Sequence, residues 1–360
     1  MTAAGETFDV SSLVTITQVI ARAREIIDPG VWIWTTAGAG EGRTGRRNKA
    51  AFDQYALRPS IMHDVSSVDT STSFLGVDLD FPVMAAPVGG TILYTPGGGV
   101  ASASGAVAAG VSGFCGSLTQ APWEEIAAVA PGRYFLQIYV MGDHVWLGEI
   151  ADRAEAAGFA GICVTVDSVV PARRDGVAEN GFDWRREREL VPSNLISHGR
   201  DDTYKSRFIW PDLEWLCKRT NLPVILKGVM RGEDAATAID HGVSSLYVSN
   251  HGGRSLDRGL GTIEVLEEVV AAGAGRVDIV VDGGFTRGSE VCLALAMGAQ
   301  AVAIGQLQLF GLAIGGAEGL AHVLGILKSE VAVTMAMLGC SRIDEIGPDH
   351  VRDVSPLTVE

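Results

Sequence analysis

The chain has 360 residues, of which 47% are hydrophobic, only 20% are charged and 45 are glycine, and its formal net charge is −15. That length supports a large core, and a Gly-rich, charge-poor composition suits a buried parallel sheet with closely packed helices. The acidic balance excludes a nucleic-acid binder, which needs a basic face. Five dispersed cysteines with no Cys-x-x-Cys pair argue against zinc and for reduced thiols in a cytoplasmic protein.

The segment Met1 to Val10 is polar and acidic and does not read as a signal peptide. No apolar run reaches the roughly 18 residues of a bilayer span, so no membrane attachment is expected. Residues up to about 80 are expected to form helices and a small hairpin that cover a barrel within one domain, 1–360. Gly40-Glu41-Gly42-Arg43-Thr44-Gly45 has the G-x-G-x-x-G spacing of dinucleotide folds, but no βαβ unit surrounds it and Arg46-Arg47 follow, so it is read as a decoy.

From Val83 onward, short apolar runs alternate with Ala-rich helical stretches. The predicted strands are Val83 to Ala86, Gly113 to Cys115, Tyr134 to Tyr139, Gly161 to Val166, Val224 to Leu226, Leu246 to Val248, Ile279 to Val281 and Ala301 to Ile304. Eight strands with intervening helices, such as Glu149 to Ala157, Glu233 to His241 and Ser289 to Met297, predict an α/β (β/α)8 TIM barrel. The runs end at Pro87, Gly116, Tyr139, Asp167, Lys227, Ser249, Asp282 and Gly305, which would line one mouth. The long connection after the fourth strand, about 175–209, is expected to be a lid.

Ser249-Asn250-His251-Gly252-Gly253-Arg254 follows the sixth run and carries the most chemical information. At the carboxyl end of a barrel strand, His251 is a candidate base and Arg254 a candidate carboxylate clamp. A Gly-Gly turn beside a satisfied loop histidine is the bland competitor. Asp282-Gly283-Gly284 and Ile304-Gly305-Gln306 end the seventh and eighth runs, where barrels commonly hold a phosphate, although glycines there also serve plain tight turns.

With these strings in place, residues about 20–350 resemble the FMN-dependent 2-hydroxy acid oxidase and dehydrogenase family, which includes glycolate oxidase, lactate oxidase and mandelate dehydrogenase. Ser249 to Arg254 with Leu256-Asp257, Leu226-Lys227-Gly228-Val229, Thr165-Val166-Asp167 and Ile304-Gly305 carry the resemblance. It implies His251 as the base, Asp167 as the carboxylate supporting the protonated ring, Arg254 and Tyr139 as substrate holders, and Arg174 as a second arginine near the substrate. It implies FMN bound by Gln137, Thr165, Ser249, Asp282 and the backbone from Pro87 to Gly89, with Lys227 beside the flavin N1 and O2 edge. O2 or another electron acceptor would reoxidise the flavin, and relatives are often tetramers or octamers. The lid lacks the long apolar insertion of the membrane-bound mandelate dehydrogenases.

Several positions depart from the pattern. Trp32 stands where a tyrosine is usual, Val88 replaces a Thr, and Gly89 resembles the mandelate dehydrogenases; with Leu118 they predict an enlarged apolar pocket and a mandelate-like substrate. Thr286 and Gln306 stand where arginines usually meet the phosphate, and Gly116 replaces a common Ser. Arg287 and the Gly283, Gly284 and Gly305 amides are the expected compensation. Two alternatives remain: a Schiff-base lyase or aldolase with Lys227 as nucleophile, and a phosphate-ligand-binding barrel that has lost catalysis.

Overall fold

The computed structural model describes residues 8–183 and 203–354. Strands β4 (Val83–Ala85), β5 (Gly113–Gly116), β6 (Tyr134–Ile138), β7 (Gly161–Thr165), β8 (Val224–Val229), β9 (Ser245–Val248), β10 (Asp278–Val281) and β11 (Ala301–Ile304) pair in parallel, and β11 closes on β4. All eight predicted strands are present. Their residues are buried almost throughout, as expected when side chains fill the interior and helices cover the outside. Phe114 packs on Phe135 and Tyr247 inside, with ring centroids 5.4 and 5.3 Å apart.

The helix expected from Glu149 spans His144–Ala157, because the Asp143 carboxylate caps the Val145 and Trp146 amides five residues earlier; Gly158 ends it in the left-handed region. Gly232–Asp240 and Gly288–Ala296 match expectation to within a residue. Gln306–Leu338 does not fit the expectation of no membrane-length apolar element, since it is long and apolar enough to cross a bilayer. Half of its most apolar stretch is buried in the fold, it packs on helix Gly98–Ala108, and Gly315 and Gly316 break its helical geometry. Its apolarity is thus in good part that of a core helix.

The cover before Val83 serves both ends of the barrel. The hairpin of β2 (Thr72–Phe74) and β3 (Val77–Leu79) closes the amino-terminal end, where Phe74 packs edge-on against Phe135 and the Leu75 amide donates to Asp278 at the start of β10. Helices Pro29–Thr36 and Arg43–Ala50 lie over the opposite mouth. The short strand β1 (Tyr55–Leu57) pairs antiparallel with β12 (Val351–Asp353), tying the cover to the segment after the last barrel helix, a contact that periodicity did not reveal. Of the expected lid, Asp175–Asn180 is helical and Tyr204–Ser206 forms one 3-10 turn; Trp184 to Glu189 fall outside the described residues.

Candidate active site

The carboxyl ends of the strands and the two cover helices enclose a cavity of about 1470 Å³. His251, Lys227, Tyr139, Arg254, Arg174, Asp282, Gly283, Gly284, Gly305, Gln306 and Pro87 to Gly89 all line it.

His251 is set by unusual backbone. Its φ is +59°, followed by Gly252 at +65° and Gly253 at +73°. A non-glycine residue in that region stores strain, and the glycines after it accept left-handed geometry without the same penalty. A Cβ on Gly253 would come 2.3 Å from the Gly45 amide nitrogen, so glycine there also admits the cover.

The imidazole Nδ1 is 2.9 Å from Asp167 Oδ1 and 3.2 Å from Ser168 Oγ, while Nε2 faces the Tyr139 hydroxyl at 3.3 Å. With Asp167 accepting the Nδ1 hydrogen, the Nε2 lone pair is directed to the cavity. Burial works to raise the Asp167 carboxyl, but Lys227 and then His251 outweigh it and hold it below its ordinary value. Burial pushes the Tyr139 phenol up to about 12, so it stays a hydroxyl donor.

Lys227 is 3% exposed. Its ammonium donates to Ser249 Oγ at 2.6 Å and lies 3.5 Å from Asp282 and 4.0 Å from Asp167. Burial opposes its charge, yet Asp282 and Asp167 outweigh burial and raise its pKa. A Schiff-base nucleophile needs the opposite shift. Strand β8 bulges between Lys227 and Val229, and a Cβ on Gly228 would meet Asp167 Cβ at 2.7 Å, so glycine lets the carboxylate approach the lysine.

Arg254 has no carboxylate partner among the described residues. Its Nη1 donates to the carbonyls of Trp34 at 2.8 Å, Thr35 at 2.7 Å and Ala37 at 3.2 Å, and its guanidinium lies over the Trp34 ring. Burial and then the neighbouring Arg174 push its pKa down, two costs that a bound carboxylate would offset. Arg174 donates to the Arg254 carbonyl at 3.4 Å.

Trp32, expected to stand in place of the usual substrate-side tyrosine, stacks on Phe310 with ring centroids 5.1 Å apart, and Trp34 occupies the place beside Arg254. Both rings reach the cavity; helix geometry two residues apart puts only Trp34 on the arginine's side. At Gly89 a Cβ would point at Leu118, 3.0 Å away, so Leu118 fills much of the room glycine was expected to leave.

At the far end the expected compensation fails for one residue. Arg287 is paired with Glu330 at 2.8 Å and is not among the cavity-lining residues, because its backbone caps helix Gly288–Ala296 and turns the side chain outward. Gln306 donates to the Thr35 carbonyl at 3.0 Å. The Gly116 Cα faces the Val88 carbonyl, where a Cβ would come within 2.9 Å. Sequence reasoning missed Ser168, Trp34, Arg46 and Lys49, which carry no motif and reach the mouth only through folding.

The Gly40-Glu41-Gly42 glycines bring segments together: the Gly40 amide donates to the Arg173 carbonyl, the Ala39 amide to the Gly253 carbonyl, and Gly42 precedes helix Arg43–Ala50 with a φ of +75°.

A flavin nucleotide fits this cavity. The Gln137 amide accepts from the Ser117 N–H at 3.2 Å and donates to the Thr165 hydroxyl at 2.8 Å; these residues do not themselves line the cavity, but Thr165 pairs across the sheet with Lys227, which does. Lys227 gives a fixed buried cation beside them, and the helix beginning at Gln306 has no side-chain cap on its first amides.

Comparison with known proteins agrees. Residues 23–353 match the FMN-dependent dehydrogenase family. The chain is 35% identical to an L-lactate oxidase of Nostoc sp. over 94% of its own length and 97% of the relative's, and 35% identical to glycolate oxidase of Spinacia oleracea over 94% and 95%. A crystal structure of mandelate oxidase with (S)-2-phenylpropionate superposes with a TM-score of 0.88 at 32% identity, covering 96% of this chain and 99% of that one. A match that spans nearly the whole barrel, together with a cavity built for a flavin, places this chain in the FMN-dependent dehydrogenase family.

Proposed function

We propose that the chain oxidises a bulky, apolar 2-hydroxy acid of mandelate type to the 2-oxo acid, with His251 as base. The observation that carries this is the geometry of Arg254, a part-buried guanidinium with no carboxylate partner among the described residues, lining the same cavity as His251, whose Nδ1 is held by Asp167 at 2.9 Å. A carboxylate seated on Arg254 and Arg174 relieves both. The Tyr139 hydroxyl donates to the same carboxylate, and His251 Nε2 accepts a proton from the carbinol centre while Asp167 stabilises the positive charge the ring acquires. FMN, when bound, supplies the two-electron acceptor, itself reoxidised by O2 or another carrier.

Leu118, Met141, Trp34, Val170, Val177 and Phe182 line the cavity and support an apolar substituent. Fully burying such a group contributes about 1.5–3 kcal/mol, or roughly 10- to 150-fold in specificity constant. The test is anaerobic bleaching of the flavin band by (S)-mandelate, 4-hydroxymandelate, lactate and glycolate in separate samples. Mandelates are expected to give the highest specificity constants; preference for glycolate or lactate refutes the substrate class, and no bleaching by any of them refutes the reaction.

A further inference from the structure

The end of the cavity over Gly283-Gly284 and Gly305 has an unusual electrostatic composition. The amides that open helix Gly288–Ala296 are already taken by the chain's own carboxylates: Glu290 accepts from the Thr286 amide at 2.6 Å and the Arg287 amide at 3.0 Å, and Glu330 from the Gly288 amide at 2.7 Å. Arg287 is turned to Glu330 and does not line the cavity. A phosphate dianion placed here finds donors at the uncapped start of the Gln306 helix and no barrel-borne arginine.

The cation comes from the cover. Helix Arg43–Ala50 packs so tightly on the turn after β10 that a Cβ on Gly284 would meet the Asn48 carbonyl at 2.8 Å. From this helix Lys49 reaches into the cavity, donates to Thr286 Oγ1 and Glu290, and makes a long contact of 3.5 Å to the Gly284 carbonyl. Arg46, one turn earlier, also lines the cavity but its Nη1 is committed to the Glu41 carbonyl at 2.8 Å. Arg174, Lys227 and Arg254 belong to the His251 side. Lysine is a compact point charge with three rotatable donors, so exchanging its weakest contact for a phosphate oxygen needs only a turn of the ammonium.

We infer that Lys49 is the cation that pairs with the FMN 5′-phosphate, so that cofactor affinity in this chain depends on the N-terminal cover and not on the barrel loops alone. This rests on FMN being the cofactor, and riboflavin, which has the same ring and no phosphate, separates the two ideas.

The test is the equilibrium dissociation constant of FMN and of riboflavin for the full-length protein, followed by flavin fluorescence quenching at two salt concentrations. Lys49→Met is expected to weaken FMN by roughly 10-fold or more and to flatten its salt dependence, leave riboflavin within about twofold, and be rescued by Lys49→Arg. Equal weakening of both flavins overturns the inference, since Lys49 then only holds the cover in place. An unchanged FMN-to-riboflavin ratio in Lys49→Met, or the full effect appearing in Arg46→Met instead, overturns it too. A wild-type protein that binds neither flavin overturns the cofactor assignment itself.

Discussion

Asp167→Asn tests the catalytic geometry most directly, because it removes one charge and almost no volume. Asp167 Oδ1 lies 2.9 Å from His251 Nδ1, and its side chain is 10% exposed, so water compensates little. A hydrogen bond to a charged group contributes about 1.5–3 kcal/mol, which in the transition state corresponds to roughly 10- to 150-fold in rate. The asparagine adds a second effect. If its amide donates to Nδ1, the ring proton moves to Nε2 and the base has no lone pair facing the substrate, which places the loss at or beyond the upper end of that range.

Lys227 keeps Asp282 at 3.5 Å, so the flavin floor stays charged and FMN should still bind. The assay is anaerobic stopped-flow reduction of the bound flavin at saturating (S)-mandelate, with the visible spectrum confirming occupancy. A limiting rate within about threefold of wild type, with flavin bound, would refute the role given to the His251–Asp167 pair, because such a change lies well below one charged contact.

The remaining predictions concern the clamp and its support. Arg254 lines the cavity with no carboxylate partner among the described residues, and a guanidinium keeps its charge across the working pH range. Binding of a 2-oxo acid product analogue should therefore weaken roughly 10- to 150-fold in Arg254→Met, the loss of about 1.5–3 kcal/mol from one charged contact, and an affinity within about threefold of wild type would contradict the anion pocket. Gly253→Ala forces a side chain into a φ of +73° and against the Gly45 amide; with about 1–3 kcal/mol of backbone strain alone, it should lower Tm and raise KM for the hydroxy acid together. An unchanged Tm would show that the cover yields without cost.

The barrel was legible because parallel strands covered on both sides are written as uninterrupted apolar runs, and every such run from Val83 to Ile304 became a strand. The residues at their carboxyl ends followed directly, since a strand's end fixes where Tyr139, Asp167, Lys227 and His251 must lie. Positions supplied by the cover did not follow. Trp32 and Trp34 sit in one short helix and differ only by rotation about its axis, which an apolar octapeptide does not encode. Arg287 looked available because it adjoins Thr286, but Glu330, 43 positions away, claimed it with one carboxylate oxygen while the other accepts from the Gly288 amide. Lys49 was unreadable for the same reason: its partners Thr286 and Glu290 are more than 200 residues distant.

Arg254 spends one nitrogen on three carbonyls of the cover, Trp34, Thr35 and Ala37, while belonging to a barrel loop. The site is therefore a joint between two parts of the chain. Any excursion that lifts the first fifty residues dismantles the anion pocket, so ligand binding and seating of the cover are one thermodynamic event. Occupancy of the pocket should then be visible far from it, as slowed amide exchange and protease resistance in helices Pro29–Thr36 and Arg43–Ala50. A preparation nicked within those helices should lose that protection together with its affinity for the carboxylate.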